Sequence, residues 1–296
     1  MRTALSHGAN FWNGGDLYGP PTYNSLHLLN AYFTKYPEDA DKVLLSIKGC
    51  VNIATMTPDG SEEGVRRSVD NCLKVLGGKK KLDMFECARV DPKTPIETTI
   101  KALAEYVKEG KLGGISLSEV KAETIRRAAK VHPICAVEME VSLWSSDVLT
   151  NGVAETCAEL GIPIVAYSPL GRGFLTGQIK KYEDIPEGSM LRHLPRLQKD
   201  VFPKNLELVT ALEKLAGKKG CTPAQLALAW VRQLSDRPGM PLFIPIPGAT
   251  TEERVNENMK NIKLTEGDME EIDKILGQVE IVGGRYPEAL SHLCDQ

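Results

Sequence analysis

Two residues stand where this sequence can do acid–base chemistry. Tyr18 falls near the end of Asn10-Phe11-Trp12-Asn13-Gly14-Gly15-Asp16-Leu17-Tyr18-Gly19-Pro20, and Lys48 near the end of Lys42-Val43-Leu44-Leu45-Ser46-Ile47-Lys48-Gly49. Each stretch carries an apolar run too short for a helix, and the first ends in Asn, Gly and Asp, so both read as buried strands opening into loops. In a parallel α/β fold the carboxyl ends of strands are where ligands sit and chemistry takes place. A Tyr and a Lys delivered to that face make a proton donor. The ammonium stabilises phenolate and draws a tyrosine pKa down from its ordinary value of about 10. Taken alone, the same Lys equally suits a cap on the rim of a sheet.

The elements that must position this pair alternate along the chain. Apolar strand runs contain Trp12, Leu45, Phe85, Ile115, Val137, Val165 and Ile244. Amphipathic helices are expected at 25–36, 61–76, 96–108, 122–131 and 148–160, with Pro37, Gly77-Gly78, Gly110 and Gly161 among their stops. Residues 171–203 are polar and read as one large loop, a length that usually marks a functional lid or a disordered segment. Helices at 206–217, 223–234, 251–261 and 266–276 follow, before a tail at 277–296. Strand–helix alternation implies parallel strands joined by right-handed crossovers, and near-continuous apolar strands are those that helices cover. No GxGxxG follows the first strand, so a closed barrel fits better than an open doubly wound sheet. The expected fold is α/β, a single TIM-type (β/α)8 barrel domain over residues 1–296, although only seven strand runs are visible where eight are needed.

Composition excludes several function classes. The chain is 42% hydrophobic and 25% charged with a net charge of −3, ordinary for a globular protein and unsuited to a nucleic-acid or membrane surface as main partner. Cysteines 50, 72, 87, 135, 157, 221 and 294 lack CxxC spacing and read as reduced core residues, with no metal site expected. No run of about 18 apolar residues and no signal-peptide core is present, so a cytoplasmic location is expected, the nucleus being the alternative. His193 lies in the long loop with Arg192 and Arg196, a candidate group for a phosphate or pyridine, though a solvated loop is the plainer reading. Lys79-Lys80-Lys81 reads as a solvent-facing turn, and Glu86 and Arg89 as structural ion pairs. Arg285-Tyr286 in the tail is placed to close over a substrate.

Phe11 to Gly19, Ile47-Lys48-Gly49, Arg89-Val90-Asp91-Pro92, Ile115-Ser116-Leu117-Ser118-Glu119, Ala166-Tyr167-Ser168-Pro169-Leu170-Gly171-Arg172-Gly173 and Ile246-Pro247-Gly248 fall in the order seen in aldo-keto reductases. The chain resembles that superfamily over nearly its whole length. Through Phe85-Glu86-Cys87-Ala88-Arg89-Val90-Asp91 and Leu117-Ser118-Glu119-Val120 it most resembles the fungal pyridoxal reductases. The resemblance implies an eight-stranded barrel binding NADP(H), with the family's N-terminal hairpin and first strand absent ahead of Met1, which accounts for the missing strand run. It implies NADPH-dependent reduction of an aldehyde to an alcohol, pyridoxal to pyridoxine first. Hydride leaves nicotinamide C4 and Tyr18 gives the developing alkoxide its proton. Of the family's Tyr, Lys, Asp and His, Tyr18 and Lys48 match. Asn13 stands in place of the Asp and is expected to hold Lys48 by a hydrogen bond without adding charge. Ala88 stands where the His is common and opens room for a ring aldehyde.

The resemblance also assigns the cofactor contacts. Ser118 and Glu119 match the pair on the nicotinamide carboxamide, and Glu138 matches a Gln with the same task. Tyr167 matches the aromatic that stacks on the nicotinamide, a core aromatic being the alternative, while Ser168, Pro169, Leu170 and Arg172 match the pyrophosphate run. Gly248, Thr250, Arg254, Glu257 and Asn258 match the adenosine end, with Arg254 on the 2′-phosphate. Relatives often carry Lys or Arg at positions 248 or 250, so a weak preference for NADPH over NADH is expected. The implied partner is a small-molecule aldehyde, with no nucleic acid and no membrane. A second reading, from a different class, is a non-catalytic NADP(H)-binding protein resembling the potassium-channel β subunits. Asn13, Ala88 and the missing strand run favour it; Tyr18 with Lys48 opposes it.

Overall fold

The computed structural model describes residues 1–288. They fall into two compact units, the first made of residues 1–139 and 155–164, the second of residues 140–154 and 165–288.

The strands of the first unit are β1 (Phe11–Gly15), β2 (Leu44–Gly49), a small hairpin of β3 (Val51–Asn52) and β4 (Thr57–Pro58), β5 (Met84–Cys87), β6 (Ile115–Ser118) and β7 (Ile134–Glu140). Its helices are α1 (Arg2–Ser6), α2 (Ser25–Lys35), α3 (Glu62–Leu76), α4 (Ile96–Lys108), α5 (Ala122–Val131) and α6 (Val153–Leu160). Apart from the hairpin, the strands pair in the parallel order β1-β2-β5-β6-β7. Their registers decide the chemistry. Gly15 stands opposite Lys48, Lys48 opposite Glu86, and Ser118 opposite Glu138. Because side chains alternate along a strand, Asn13, Ser46, Lys48, Glu86, Ser118 and Glu138 share one face, and Leu45, Ile47, Phe85, Leu117 and Val137 the other. The apolar face is where the helices pack. α2 buries Leu26, Leu29, Tyr32 and Phe33, and Trp12 meets Tyr32 edge-on at 5.2 Å and stacks on Phe33 at 5.9 Å. Helix ends follow their sequence signals: Ser61 caps α3 by accepting from Gly64 N, and Gly77 ends it in the left-handed region at φ 59°.

In the second unit β8 (Ile164–Tyr167) and β9 (Phe243–Pro245) lie with α7 (Phe202–Lys219), α8 (Pro223–Gln233), α9 (Glu252–Met259) and α10 (Glu266–Gln278). Ile246 N donates to Ala166 O at 3.0 Å, tying the strand ends together. α8 is apolar nearly all round, with Trp230 fully buried, as a core helix should be. The stretch expected as one long loop is instead a string of 3₁₀ turns at Gly171–Thr176, Tyr182–Asp184, Met190–His193 and Pro195–Leu197, pinned by buried Phe174 and Leu197. α7 begins at Phe202 rather than 206, because Pro203 at its first turn needs no N–H partner. The basic run at 79–81 also differs from expectation: Lys80 is buried and paired with Asp83, whose carboxylate accepts from Leu45 N at 2.8 Å.

Gly49, directly after Lys48, leaves no room for a side chain. A Cβ there would lie 2.2 Å from Ser68 Oγ and 2.6 Å from Phe85 Cζ. Gly49→Ala is expected to destabilise the protein by about 1–3 kcal/mol, read as a lowered denaturation midpoint in chemical unfolding.

Candidate active site

Glycine lets the Tyr18 ring lie close against the end of β1. A Cβ on Gly15 would stand 3.2 Å from Tyr18 Cδ2 and 3.3 Å from the Lys48 carbonyl oxygen, tighter than ordinary contacts, so a side chain there would press the ring off its place on the strand end. The turn carrying Tyr18 is fixed from both sides. Asp16 N donates to Lys48 O at 3.2 Å, Ser25 N to Tyr18 O at 2.9 Å, and Asn24 Nδ2 to Asp16 O at 2.9 Å. Ser25 Oγ accepts from Gly15 N at 2.8 Å and donates to Gly15 O at 2.7 Å.

Lys48 is only 3% exposed, and its ammonium donates to Glu138 Oε1 while Glu86 Oε1 lies 3.8 Å away. Asn13 Nδ2 donates to the other Glu138 oxygen, Oε2, at 2.6 Å. Asn13 and Lys48 are thus joined through the Glu138 carboxylate that both bond. The physical reason is that a buried ammonium is better served by an anion than by an amide. Burial by itself would push the Lys48 pKa down, but Glu86 and Glu138 more than offset it, so the ammonium is held charged well above the ordinary range. Glu86 moves the other way for its class. Burial, then the neighbouring Glu138 carboxylate, push its pKa well up, and Glu86 Oε1 has no hydrogen-bond partner among the described residues.

The Tyr18 phenol corrects an expectation. Its pKa is raised, not lowered: burial pushes it up first, Lys48 pulls it down, and Glu138 and Glu86 push it up again. Glu138 and Glu86 work against the pull of the ammonium on the phenol. A phenol held in its protonated form is what a proton donor requires at neutral pH.

Around this cluster Ala88 is buried, and Arg89 Nη1 donates to the Ala88 carbonyl at 2.6 Å. Ser118 is 1% exposed and its hydroxyl has no hydrogen-bond partner among the described residues, an orphaned buried polar group that fits an incoming carboxamide. Glu119, in the left-handed region at φ 50°, donates its N–H to Glu138 O at 3.0 Å. Both side-chain oxygens of Glu138 are already engaged, by Lys48 and by Asn13.

The second unit holds the remaining expected cofactor residues. The Tyr167 hydroxyl lies 3.1 Å from that of Tyr286, and Arg172 sits over the Tyr286 ring at 4.6 Å while its Nη2 reaches Glu140 Oε2 at 3.3 Å. Arg285 Nη1 approaches the same Glu140 oxygen at 3.4 Å. Ser168 and Arg172 both adopt positive φ, 49° and 57°, a strained turn of the sort that persists at functional sites; Pro169 within it is buried and Leu170 half-buried. Farther along, Gly248, Thr250 and Arg254 are exposed, Arg254 touching Gln178 Oε1 at 3.4 Å, while Asn258 is buried and Glu257 Oε1 accepts from Thr222 Oγ1 at 2.8 Å. The loop arginines expected as phosphate candidates are engaged in packing the loop. Arg192 donates to Ile185 O, and Arg196 to Trp144 O, Ser145 Oγ and Gly283 O. Sequence reasoning missed Glu86 as a partner of Lys48 and Glu138 as its anion; acidic residues at even positions of apolar strands were the available signal. Among the described residues no His, Cys, Asp and Glu group suits a metal, and no helix is long and apolar enough to cross a membrane.

The aldo/keto reductase family model matches residues 1–277. This chain belongs to the aldo-keto reductase family. It is 46% identical over 298 residues to a probable pyridoxal reductase 2 of Schizosaccharomyces pombe, covering 98% of this chain and 88% of that protein. It is 43% identical over 297 residues to a putative pyridoxal reductase of Saccharomyces cerevisiae, covering 94% and 85%. A glycerol dehydrogenase structure from Gluconobacter oxydans superposes with TM-score 0.78 at 21% identity, over 96% of this chain and 85% of that one, a likeness of fold alone. The fold class is accordingly the TIM-type (β/α)8 barrel of the aldo-keto reductases. Members of the family are oxidoreductases that reduce aldehydes and ketones with a nicotinamide cofactor, so the substrate of this aldo-keto reductase is a small carbonyl compound.

Lys48→Met would strand two buried carboxyl groups without their counter-ion. It is expected to cost about 3–5 kcal/mol near neutral pH. The unpartnered carboxyls take up protons in the folded state, raising their folded pKa values, so the variant's stability is fullest at low pH and declines as pH rises through those values. Urea unfolding of wild type and variant across pH checks both the size and the sign.

Proposed function

We propose that this aldo-keto reductase is an NADPH-dependent aldehyde reductase that converts pyridoxal to pyridoxine. The observation that carries the reading is the Tyr18 ring against Gly15, the residue registered opposite a buried Lys48 whose ammonium is paired with Glu138. Tyr18 donates its proton to the carbonyl oxygen as negative charge develops there, and Lys48 stabilises the phenolate left behind. Bound NADPH supplies the hydride. Ser118 and Glu119 hold its carboxamide, with Tyr167 against the nicotinamide, Ser168, Pro169, Leu170 and Arg172 along the pyrophosphate, and Gly248, Thr250, Arg254, Glu257 and Asn258 at the adenosine end. The orphaned Ser118 hydroxyl supports the first of these contacts. Ala88, in place of a bulkier side chain, leaves space for a substituted ring. The names of the two yeast relatives support pyridoxal over other aldehydes.

The test follows NADPH absorbance with pyridoxal as substrate. Tyr18→Phe should lower kcat by about 10²–10⁴-fold while NADPH binding, followed by fluorescence titration, stays at the wild-type value. Turnover of simple aldehydes with none of pyridoxal would overturn the substrate assignment. Arg254→Ala should weaken NADPH about tenfold and leave NADH unchanged, the loss of one charge-assisted contact.

A further inference from the structure

The family match leaves open where the negative charge of this site comes from, because position 13 is an amide. We propose that Glu138 is the positioning anion of the Tyr18–Lys48 pair, with Asn13 orienting it and Glu86 standing beside it as a neutral carboxylic acid. The proposal rests on the reading of Tyr18 as proton donor.

Three observations carry it. Each oxygen of Glu138 has a separate directional partner, Lys48 Nζ on Oε1 and Asn13 Nδ2 on Oε2, so the carboxylate is locked between them. Those bonds reach across 90 and 125 residues of sequence and tie β7 to β2 and to β1. Glu86 is 1% exposed and, at 3.8 Å, lies beyond hydrogen-bond range of Lys48, with Oε1 unpartnered among the described residues. Two carboxylates against one ammonium in a buried site would leave a net negative charge out of water. A proton on the less well bonded carboxyl, Glu86, removes it. Lys48 and Glu138 then stand as a directly bonded opposed pair. The other titratable groups facing it are Tyr18, Arg89 and Cys87.

This assignment differs in outcome from a carboxamide contact. A residue that grips cofactor changes cofactor affinity; one that holds Lys48 changes kcat and its pH dependence. Asn13 and Glu138 also permit a charge swap. Asn13→Asp combined with Glu138→Gln keeps the hydrogen bond, reverses its donor and acceptor, and moves the negative charge by one hydrogen-bond length.

The experiment uses the full chain with NADPH and pyridoxal. Glu138→Gln is expected to lower kcat about a hundredfold, as misplacing a reacting group does. It should also move the basic limb of the kcat–pH profile down by about one unit, because Lys48 and Tyr18 both lose protons more easily without the anion's restraint. The NADPH Kd stays within about threefold of wild type. The swap restores at least a tenth of the wild-type kcat and returns the basic limb. A Glu138→Gln enzyme with unchanged kcat and a weakened NADPH Kd would overturn the proposal and make Glu138 a cofactor contact. A swap that folds, by circular dichroism, yet works no better than Glu138→Gln would overturn it as well. If the wild-type chain reduces no carbonyl compound, the reading of Tyr18 has failed instead. The Tyr18 phenol titration, taken as an ultraviolet difference against Tyr18→Phe, then decides: its midpoint falls in Glu138→Gln and recovers in the swap, and a midpoint unmoved by either variant overturns the proposal.

Discussion

A single buried ammonium constrains this molecule. Taking Lys48 out of water carries an effective penalty of several kcal/mol, recovered only if an anion meets it with good geometry and that anion's remaining lone pairs are used. Glu138 meets it and Asn13 uses the second oxygen. The requirement reaches through the first unit, since these three side chains stand on β7, β2 and β1, and the strand registers must be right to within one residue for them to share a face. Gly49, next to Lys48 on the opposite face, is held small by Ser68 and Phe85, and the Tyr18 ring lies close on Gly15, opposite Lys48.

The same constraint shapes the chemistry. An unscreened lysine beside a phenol would promote its ionisation, as the sequence alone suggested. Burial lifts the Tyr18 pKa above its ordinary value, and the pull of Lys48 against it is offset by Glu138 and Glu86. The phenol stays protonated until a substrate oxygen begins to carry charge. Only then does the nearby ammonium favour phenolate, when the proton has somewhere to go. A pair so arranged is suited to donating a proton, which is the part a carbonyl reduction asks of the protein.

The strand runs, the helix stops and the placing of Tyr18 and Lys48 at strand ends were legible in the sequence because they rest on local signals: apolar runs, capping residues and the Gly14-Gly15 turn. The partner of Lys48 was not, since Glu138 lies 90 residues away and reaches it only through sheet register. Asn13 bonds that same distant glutamate. The segment 171–203 looked like a polar loop because its apolar anchors are sparse; Phe174 and Leu197 nonetheless fix it as successive 3₁₀ turns. Lys80 looked like one of three solvated lysines until the fold brought Asp83 against it.

The most direct measurement is a crystal structure of this chain with NADP⁺ and a substrate alcohol bound. Tyr18, Lys48 and Ser118 as placed here predict the nicotinamide carboxamide on the Ser118 hydroxyl and the alcohol oxygen within hydrogen-bond distance of the Tyr18 phenol, with Lys48 still on Glu138. A dinucleotide bound at the amino-terminal ends of the strands, or a Lys48 drawn away from Glu138 and Tyr18, would contradict it.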